Sequence, residues 1–118
     1  MVFTKKEYAR RIAAVRASMA KHGVDVLVEA DPANMNYLTG YDGWSFYVPQ
    51  VVVLGMEGDP LWIGRGVDLG GAKLTCWMAK DHLLAYPEVM VQHPVDHPMQ
   101  YVAKEVAKCG WGRARIGV

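Results

Sequence analysis

The residues of this chain whose types could do chemistry are few and mostly scattered. His93, Asp96 and His97 form an H-x-x-D-H spacing, and imidazole and carboxylate groups are those that bind a transition metal. Pro94 and Pro98 stiffen the same segment, and Asp96 or His97 stands where a following helix needs a cap, so the structural reading is preferred to a metal site. Cys76 lies in an apolar stretch beside Trp77 with no neighbouring base, which describes an inert thiol rather than a nucleophile. Gly64-Arg65-Gly66 and Gly70-Gly71 lack the spacing of a phosphate-cradling loop, so nucleotide binding is not expected. Asp42 has no neighbouring carboxylate in sequence, and paired acid and base chemistry is therefore not expected from this chain.

What stands out instead is an aromatic run. From Asp31 to Tyr47 the chain opens with Asp-Pro and Asn, which are turn formers, and continues into Tyr37, Tyr41, Trp44, Phe46 and Tyr47 interleaved with Gly40, Asp42 and Gly43. Neither a two-residue nor a 3.6-residue period fits these aromatics, so the run reads as a loop that carries large amphipathic side chains at its surface. Tyr41, Asp42, Trp44, Phe46 and Tyr47 are the candidate substrate-contacting residues. The alternative is that Tyr37, Trp44 and Phe46 fold back to cap the core.

The elements that position this run follow from pattern. Thr4-Lys5-Lys6-Glu7 has the form of a capping box, in which Glu7 would also reach back to the Thr4 N–H. Tyr8, Ile12, Val15 and Met19 then recur at helical spacing until Gly23, and His22 suits the negative end of that helix. Residues 25–29 read as a strand. Gln50 to Leu54 is a strand covered on both faces, and the glycines of residues 55–59 allow an antiparallel return along residues 60–64. A helix weakened by Gly70-Gly71 is predicted between Arg65 and Trp77. A fourth strand over Leu83–Tyr86 follows, extended along an edge by residues 88–92. A last amphipathic helix carries Met99, Val102 and Val106, and residues 114–118 begin another strand. Strands alternating with helices, with one hairpin among them, predict an α/β fold with a mixed β-sheet flanked by helices.

At 118 residues the chain is one domain, able to bury roughly two thirds of the surface that its unfolded form exposes. A net charge of +1 spread along the sequence offers no basic stripe for nucleic acid and no polybasic patch for a membrane. The charged start and the lack of a long apolar segment argue for a cytoplasmic protein, and two distant cysteines for reduced thiols.

With these residues in view, the whole chain resembles the N-terminal domain of the creatinase and Xaa-Pro peptidase (prolidase) family. The likeness lies in Glu7-Tyr8-Ala9-Arg10-Arg11-Ile12, Gly23-Val24-Asp25-Val26-Leu27-Val28, Asn34-Met35-Asn36-Tyr37-Leu38-Thr39-Gly40 and Arg115-Ile116-Gly117-Val118, of which the Asn-x-x-Tyr-Leu-Thr-Gly motif is the most specific. The continuation Tyr41 to Tyr47, with Trp62-Ile63-Gly64-Arg65, looks most like the subgroup that includes ectoine hydrolases. The resemblance implies a ribonuclease H-like motif followed by a larger "pita-bread" catalytic domain that these residues do not contain. In the peptidases that second domain supplies two Asp, one His and two Glu to a dinuclear divalent metal site, and in metal-free creatinases a catalytic His. No cofactor is therefore expected in this domain. It also implies a homodimer in which this domain meets the catalytic domain of its own chain and leans over the active site of a second subunit. Creatinases place Phe-Gly-Arg in the loop after the motif; here Phe46-Tyr47-Val48 keeps the aromatic wall and loses the cation, which weighs against creatine as substrate. The expected function is a non-catalytic domain of a C–N hydrolase, inactive alone, that contributes dimer contacts and a substrate-covering loop. The competing reading is a freestanding module that binds a small cation or zwitterion on its aromatic loop.

Overall fold

A computed structural model describes residues 3–43, 48–90 and 95–118. Helix α1 spans Lys5–Lys21 because Thr4 caps it: the Thr4 Oγ1 accepts from the Glu7 N–H at 3.2 Å. Only half of the predicted capping box forms. The Glu7 carboxylate turns instead to Arg10 and Arg11, accepting from the two Nε atoms at 2.7 and 2.9 Å. Tyr8, Ile12 and Met19 bury the inner stripe of α1. Strand β1 (Val26–Glu29) follows, then helix α2 (Pro32–Thr39), strands β2 (Val51–Gly55) and β3 (Leu61–Arg65), helix α3 (Gly66–Thr75), strand β4 (Leu83–Tyr86), helix α4 (Pro98–Lys108) and strand β5 (Ile116–Gly117).

Those Arg10 and Arg11 contacts hold the Glu7 carboxyl down at about 2, chiefly through the Arg10 hydrogen bonds, from an ordinary value of 4.5. A depressed carboxylate stabilises the fold above its unfolded pKa, and that contribution disappears as pH falls from 4.5 towards 2. Glu7→Gln should therefore flatten this acid limb, so that its denaturation midpoint changes less than that of the parent sequence between pH 5 and pH 3. Equal slopes in the two proteins would remove Glu7 from the acid response.

The sheet runs β4-β3-β2-β1-β5. β2 is antiparallel to both β1 and β3, whereas β3 pairs parallel with β4 and β1 parallel with β5. The sheet is thus mixed, as predicted, and the 51–65 hairpin is its antiparallel centre. β2 is buried along its whole length because both of its faces are covered. One face, with Val52, Leu54 and Trp62, packs against Ile12 and Met19 of α1, Met35 and Leu38 of α2 and Ala72 of α3. The other, with Val26, Val28, Val53 and Ile63, packs against Val102 and Val106 of α4.

Two expectations change. Residues 32–39 are a helix rather than the start of a loop: the Asp31 carboxylate caps it, accepting from the Ala33 N–H at 2.8 Å, and Pro32 occupies the first turn, where its missing N–H costs nothing. The predicted edge extension over residues 88–92 does not form over Glu88–Met90, which make a 3₁₀ turn closed by the Met90 N–H on the Pro87 carbonyl at 3.0 Å; residues 91 and 92 lie outside the described ones.

Candidate functional site

Register places the functional end of the sheet. Glu29 pairs with Val52, Val51 with Ile63, and Arg65 with Tyr86, so the carboxyl ends of β1, β3 and β4 gather with the start of β2. That edge is where open α/β sheets receive ligands. α2 ends at Thr39 and β2 starts at Val51 on this edge, so the described residues 40–43 and 48–50 lie between that helix and the edge in sequence.

The motif before the run is scaffolding. The Thr39 hydroxyl, fully buried, donates to the Met35 carbonyl at 2.7 Å and accepts from the Tyr41 N–H at 3.1 Å. The Asn36 amide donates to the Tyr41 carbonyl at 3.1 Å, and Leu38 is in the core. The indole N–H of Trp77 reaches the Leu38 carbonyl at 2.9 Å, and the Trp77 backbone N–H reaches that of Thr39 at 3.0 Å, which ties α2 to the end of α3. Arg11 lies over the rings of Phe3 and Tyr37, 4.2 and 4.7 Å from their centroids, and donates to the Tyr37 carbonyl. Every residue from Asn36 to Tyr41 is thereby anchored before the loop begins.

Of the predicted contact residues, Tyr41 does not lie at the surface. It is 2% exposed, its ring is 5.2 Å from that of Trp62, and its hydroxyl donates to the Gln50 Oε1 at 2.9 Å. Burial, and then the nearby Asp68 carboxylate, push that hydroxyl up to about 12, so it stays a donor at any physiological pH. Asp42 is exposed and its backbone N–H donates to Thr75 Oγ1 at 3.2 Å. Trp44, Phe46 and Tyr47 lie outside the described residues.

Around Tyr41 stand groups that pattern reading passed over. Gln50 is 4% exposed and was visible only as the polar residue that leads an apolar strand. The Arg65 Nε meets Asp68 Oδ2 at 3.2 Å in a half-buried pair at the start of α3. The Tyr86 hydroxyl donates to the Pro49 carbonyl at 2.6 Å, and burial raises its pKa. Arg65 and Tyr86 thus stand at the ends of β3 and β4 and Gln50 just before β2, with Asp68 on α3 paired to Arg65 and Tyr41 bonded to Gln50. Such an arrangement can orient a polar molecule and exclude water.

The other candidates separate from this edge. His97 caps α4 as expected: its Nδ1 accepts from the Met99 N–H at 3.0 Å while Gln100 Oε1 accepts from the His97 N–H at 3.3 Å. His93 lies outside the described residues, and among those described no three His, Cys, Asp or Glu side chains gather to hold a metal. Cys76 is half-buried, and burial pushes its thiol up to about 11. Cys109 is exposed. At pH 8 a thiol reagent should therefore modify Cys109 quickly and Cys76 much more slowly. Two equivalents of equally fast modification in the folded protein would contradict the half-buried placement of Cys76. Among the described residues no helix is long and apolar enough to cross a membrane.

Comparison with known proteins places these features in a family context. The model of the creatinase/prolidase N-terminal domain matches residues 11–118. Ectoine hydrolase of Halomonas elongata is 52% identical over 98% of this chain, and an uncharacterized hydrolase/peptidase of Sinorhizobium fredii is 39% identical over 98%. The chain spans 29% and 30% of the length of these two relatives. Among solved structures, the dipeptidase PepE of Mycobacterium ulcerans superposes with a TM-score of 0.67 at 26% identity, over 89% of this chain and 27% of that one. The N-terminal domain of the Xaa-Pro dipeptidase of Lactobacillus brevis gives 0.66 at 17% identity, over 85% of this chain and 69% of that domain.

Proposed function

From the premise that this chain belongs to the creatinase/prolidase N-terminal domain family, we propose that it is the non-catalytic first part of a longer C–N hydrolase whose substrate is ectoine or a close analogue. The observation that carries the substrate is the 52% identity to ectoine hydrolase across 98% of the chain, which includes the aromatic run. The dipeptidases compared above are 26% and 17% identical, and the second of these speaks for the fold alone.

In this reading the domain supplies a wall. Tyr41 and Asp42 are held by Thr39 of α2, Gln50 and Thr75 at the end of α3, and the loop that follows them would cover the active site of a neighbouring subunit in a cytoplasmic homodimer. The aromatic side chains Trp44, Phe46 and Tyr47 shape and dry the substrate pocket, while the catalytic groups, including a dinuclear divalent metal site, belong to the second domain. Orientation of substrate by a preformed wall lowers the entropic part of the barrier.

The test uses the native-length product and the 118-residue chain side by side. The native-length enzyme should hydrolyse ectoine, and Phe46→Ala should lower kcat/KM by about tenfold with metal content unchanged. The 118-residue chain alone should neither turn over ectoine nor bind it by calorimetry. Turnover of Xaa-Pro dipeptides without ectoine would overturn the substrate assignment, unchanged kinetics in Phe46→Ala would overturn the wall, and tight binding by the short chain would favour a freestanding module.

A further inference from the structure

The two described ends of the aromatic run are tied directly to each other. Tyr41, two residues beyond α2, donates its hydroxyl to the Oε1 of Gln50, the residue before β2, at 2.9 Å. Both side chains are buried. Beside Gln50, the Pro49 carbonyl accepts from the hydroxyl of Tyr86, at the end of β4, at 2.6 Å. Residues 49 and 50 are thus gripped by two phenols from different parts of the chain. Gly43 closes on the same Tyr41 hydroxyl, because a Cβ at that position would collide with the Oη and Cζ of Tyr41. A backbone passes that close to a ring only where it carries no side chain. The chain therefore doubles back over the phenol within two residues of leaving it.

A glutamine at position 50 is a poor choice if its task is stability alone. With Oε1 turned to Tyr41, the Nε2 is buried and has no hydrogen-bond partner among the described residues. An unpaired buried donor keeps its whole desolvation penalty, whereas a leucine packed on a phenylalanine would fill the same space without it. What the polar pair adds is direction. A hydrogen bond accepts a narrow range of distance and angle, and apolar packing tolerates many arrangements of about the same volume.

We propose that Tyr41 and Gln50 are a positioning pair for substrate binding, whose hydrogen bond joins the two roots of the aromatic run and fixes the direction in which the run leaves the sheet. The inference rests on the proposed function above, in which that run covers a substrate. The pair touches no substrate itself and acts through Trp44, Phe46 and Tyr47. Its loss is therefore felt in substrate affinity rather than in the chemical step.

The test separates position from stability in the native-length product. Tyr41→Phe and Gln50→Leu each leave one buried polar partner unpaired and should lower the melting temperature. The double variant, with both partners apolar, should recover at least about half of that loss. All three should raise KM about five- to tenfold with kcat within about twofold of the parent. A double variant that regains melting temperature and parental KM together overturns the proposal, because the pair is then a stability device only. Gly43→Ala is the second variant, since it leaves both hydrogen-bonding groups in place and displaces the chain that passes over them. It should raise KM likewise, and a parental KM there overturns the proposal even if the double variant does not fold. Kinetics are taken with ectoine and with an Xaa-Pro dipeptide. A parent that turns over only the dipeptide overturns the substrate assignment, and the pair is then judged on the dipeptide's KM. Amide exchange at residues 41–43 requires no substrate and should quicken about tenfold in Gly43→Ala and in the double variant. Exchange at the parental rate in both overturns the proposal.

Discussion

Trp62→Ala is expected to be the most damaging single truncation in the core, at a cost of about 4 kcal/mol. The side chain is fully buried at the centre of the sheet, against Tyr41 and the α1 to α3 helices, so its removal leaves a cavity that helices fixed on three sides cannot collapse into. The neighbouring Gly64 records how closely the indole lies along β3: a Cβ there would meet the ring at 2.5 Å. Trp62→Ala vacates the space under Tyr41 as well, and a Tyr41 ring that tilts loses its Gln50 partner and carries the start of the aromatic run with it. Trp62→Phe separates the effects. It keeps most of the packing and deletes an indole N–H that has no acceptor among the described residues, so it should cost less than about half as much as alanine. Urea midpoints of the two variants check this, and a phenylalanine variant as unstable as the alanine one would mean that the indole N–H has a partner that matters. A domain of this size has about 5–15 kcal/mol to lose, so Trp62→Ala should bring it near the folding threshold.

How far the sequence foretold this arrangement depends on whether a signal was local. The cap at Thr4, the stripe Tyr8, Ile12 and Met19, and the continuously apolar β2 are periodic or short-range features, and each element stands where its pattern put it. α2 was obscured because Asp31-Pro32 is ambiguous: the same dipeptide opens a turn or caps a helix, and its eight residues show little amphipathic contrast. Its apolar residues Met35 and Leu38 lie one turn apart on the side that faces the core, a spacing too short to outweigh the Asn and Pro around them. Tyr41 was misjudged for a different reason. Nothing near it in sequence marks it as buried, since its ring packs on Trp62 and its hydroxyl bonds Gln50, and those partners meet it only through the sheet register. The half-buried Arg65 and Asp68 pair was likewise invisible, because an Arg at the end of a strand and an Asp in the first turn of a helix are both ordinary surface choices. The candidate site is thus assembled from long-range contacts, and its family motif was legible while the reason for that motif was not.

That reason is clearest at Gly40, where substitution is expected to cost more than its position at a helix end suggests. Gly40 closes α2 in the left-handed conformation, φ 82°, with its N–H on the Asn36 carbonyl at 2.8 Å. An L residue pays about 1–2 kcal/mol for that conformation alone. Gly40 is also the point where three helices meet: an added Cβ would stand 2.7 Å from the Tyr8 hydroxyl of α1 and 2.8 Å from the Thr75 backbone carbonyl at the end of α3. Neither neighbour is a flexible tip that can swing away, since Tyr8 is 1% exposed and stacks on Trp77 and the other atom is backbone. Gly40→Ala should therefore cost about 3–4 kcal/mol, the strain of the left-handed backbone plus that of overpacking. Gly58 provides the control, because its φ is 81° and nothing lies within 4 Å of the position its Cβ would take. Gly58→Ala should show the backbone penalty alone, about 1–2 kcal/mol. If the two variants lose the same stability, the three-helix contact at Gly40 contributes nothing. If Gly40→Ala loses more, the excess measures how firmly α1 and α3 clamp the root of the loop, and in the native-length enzyme the same variant should lower kcat/KM even at temperatures where it stays folded, because the wall is then carried on a displaced base.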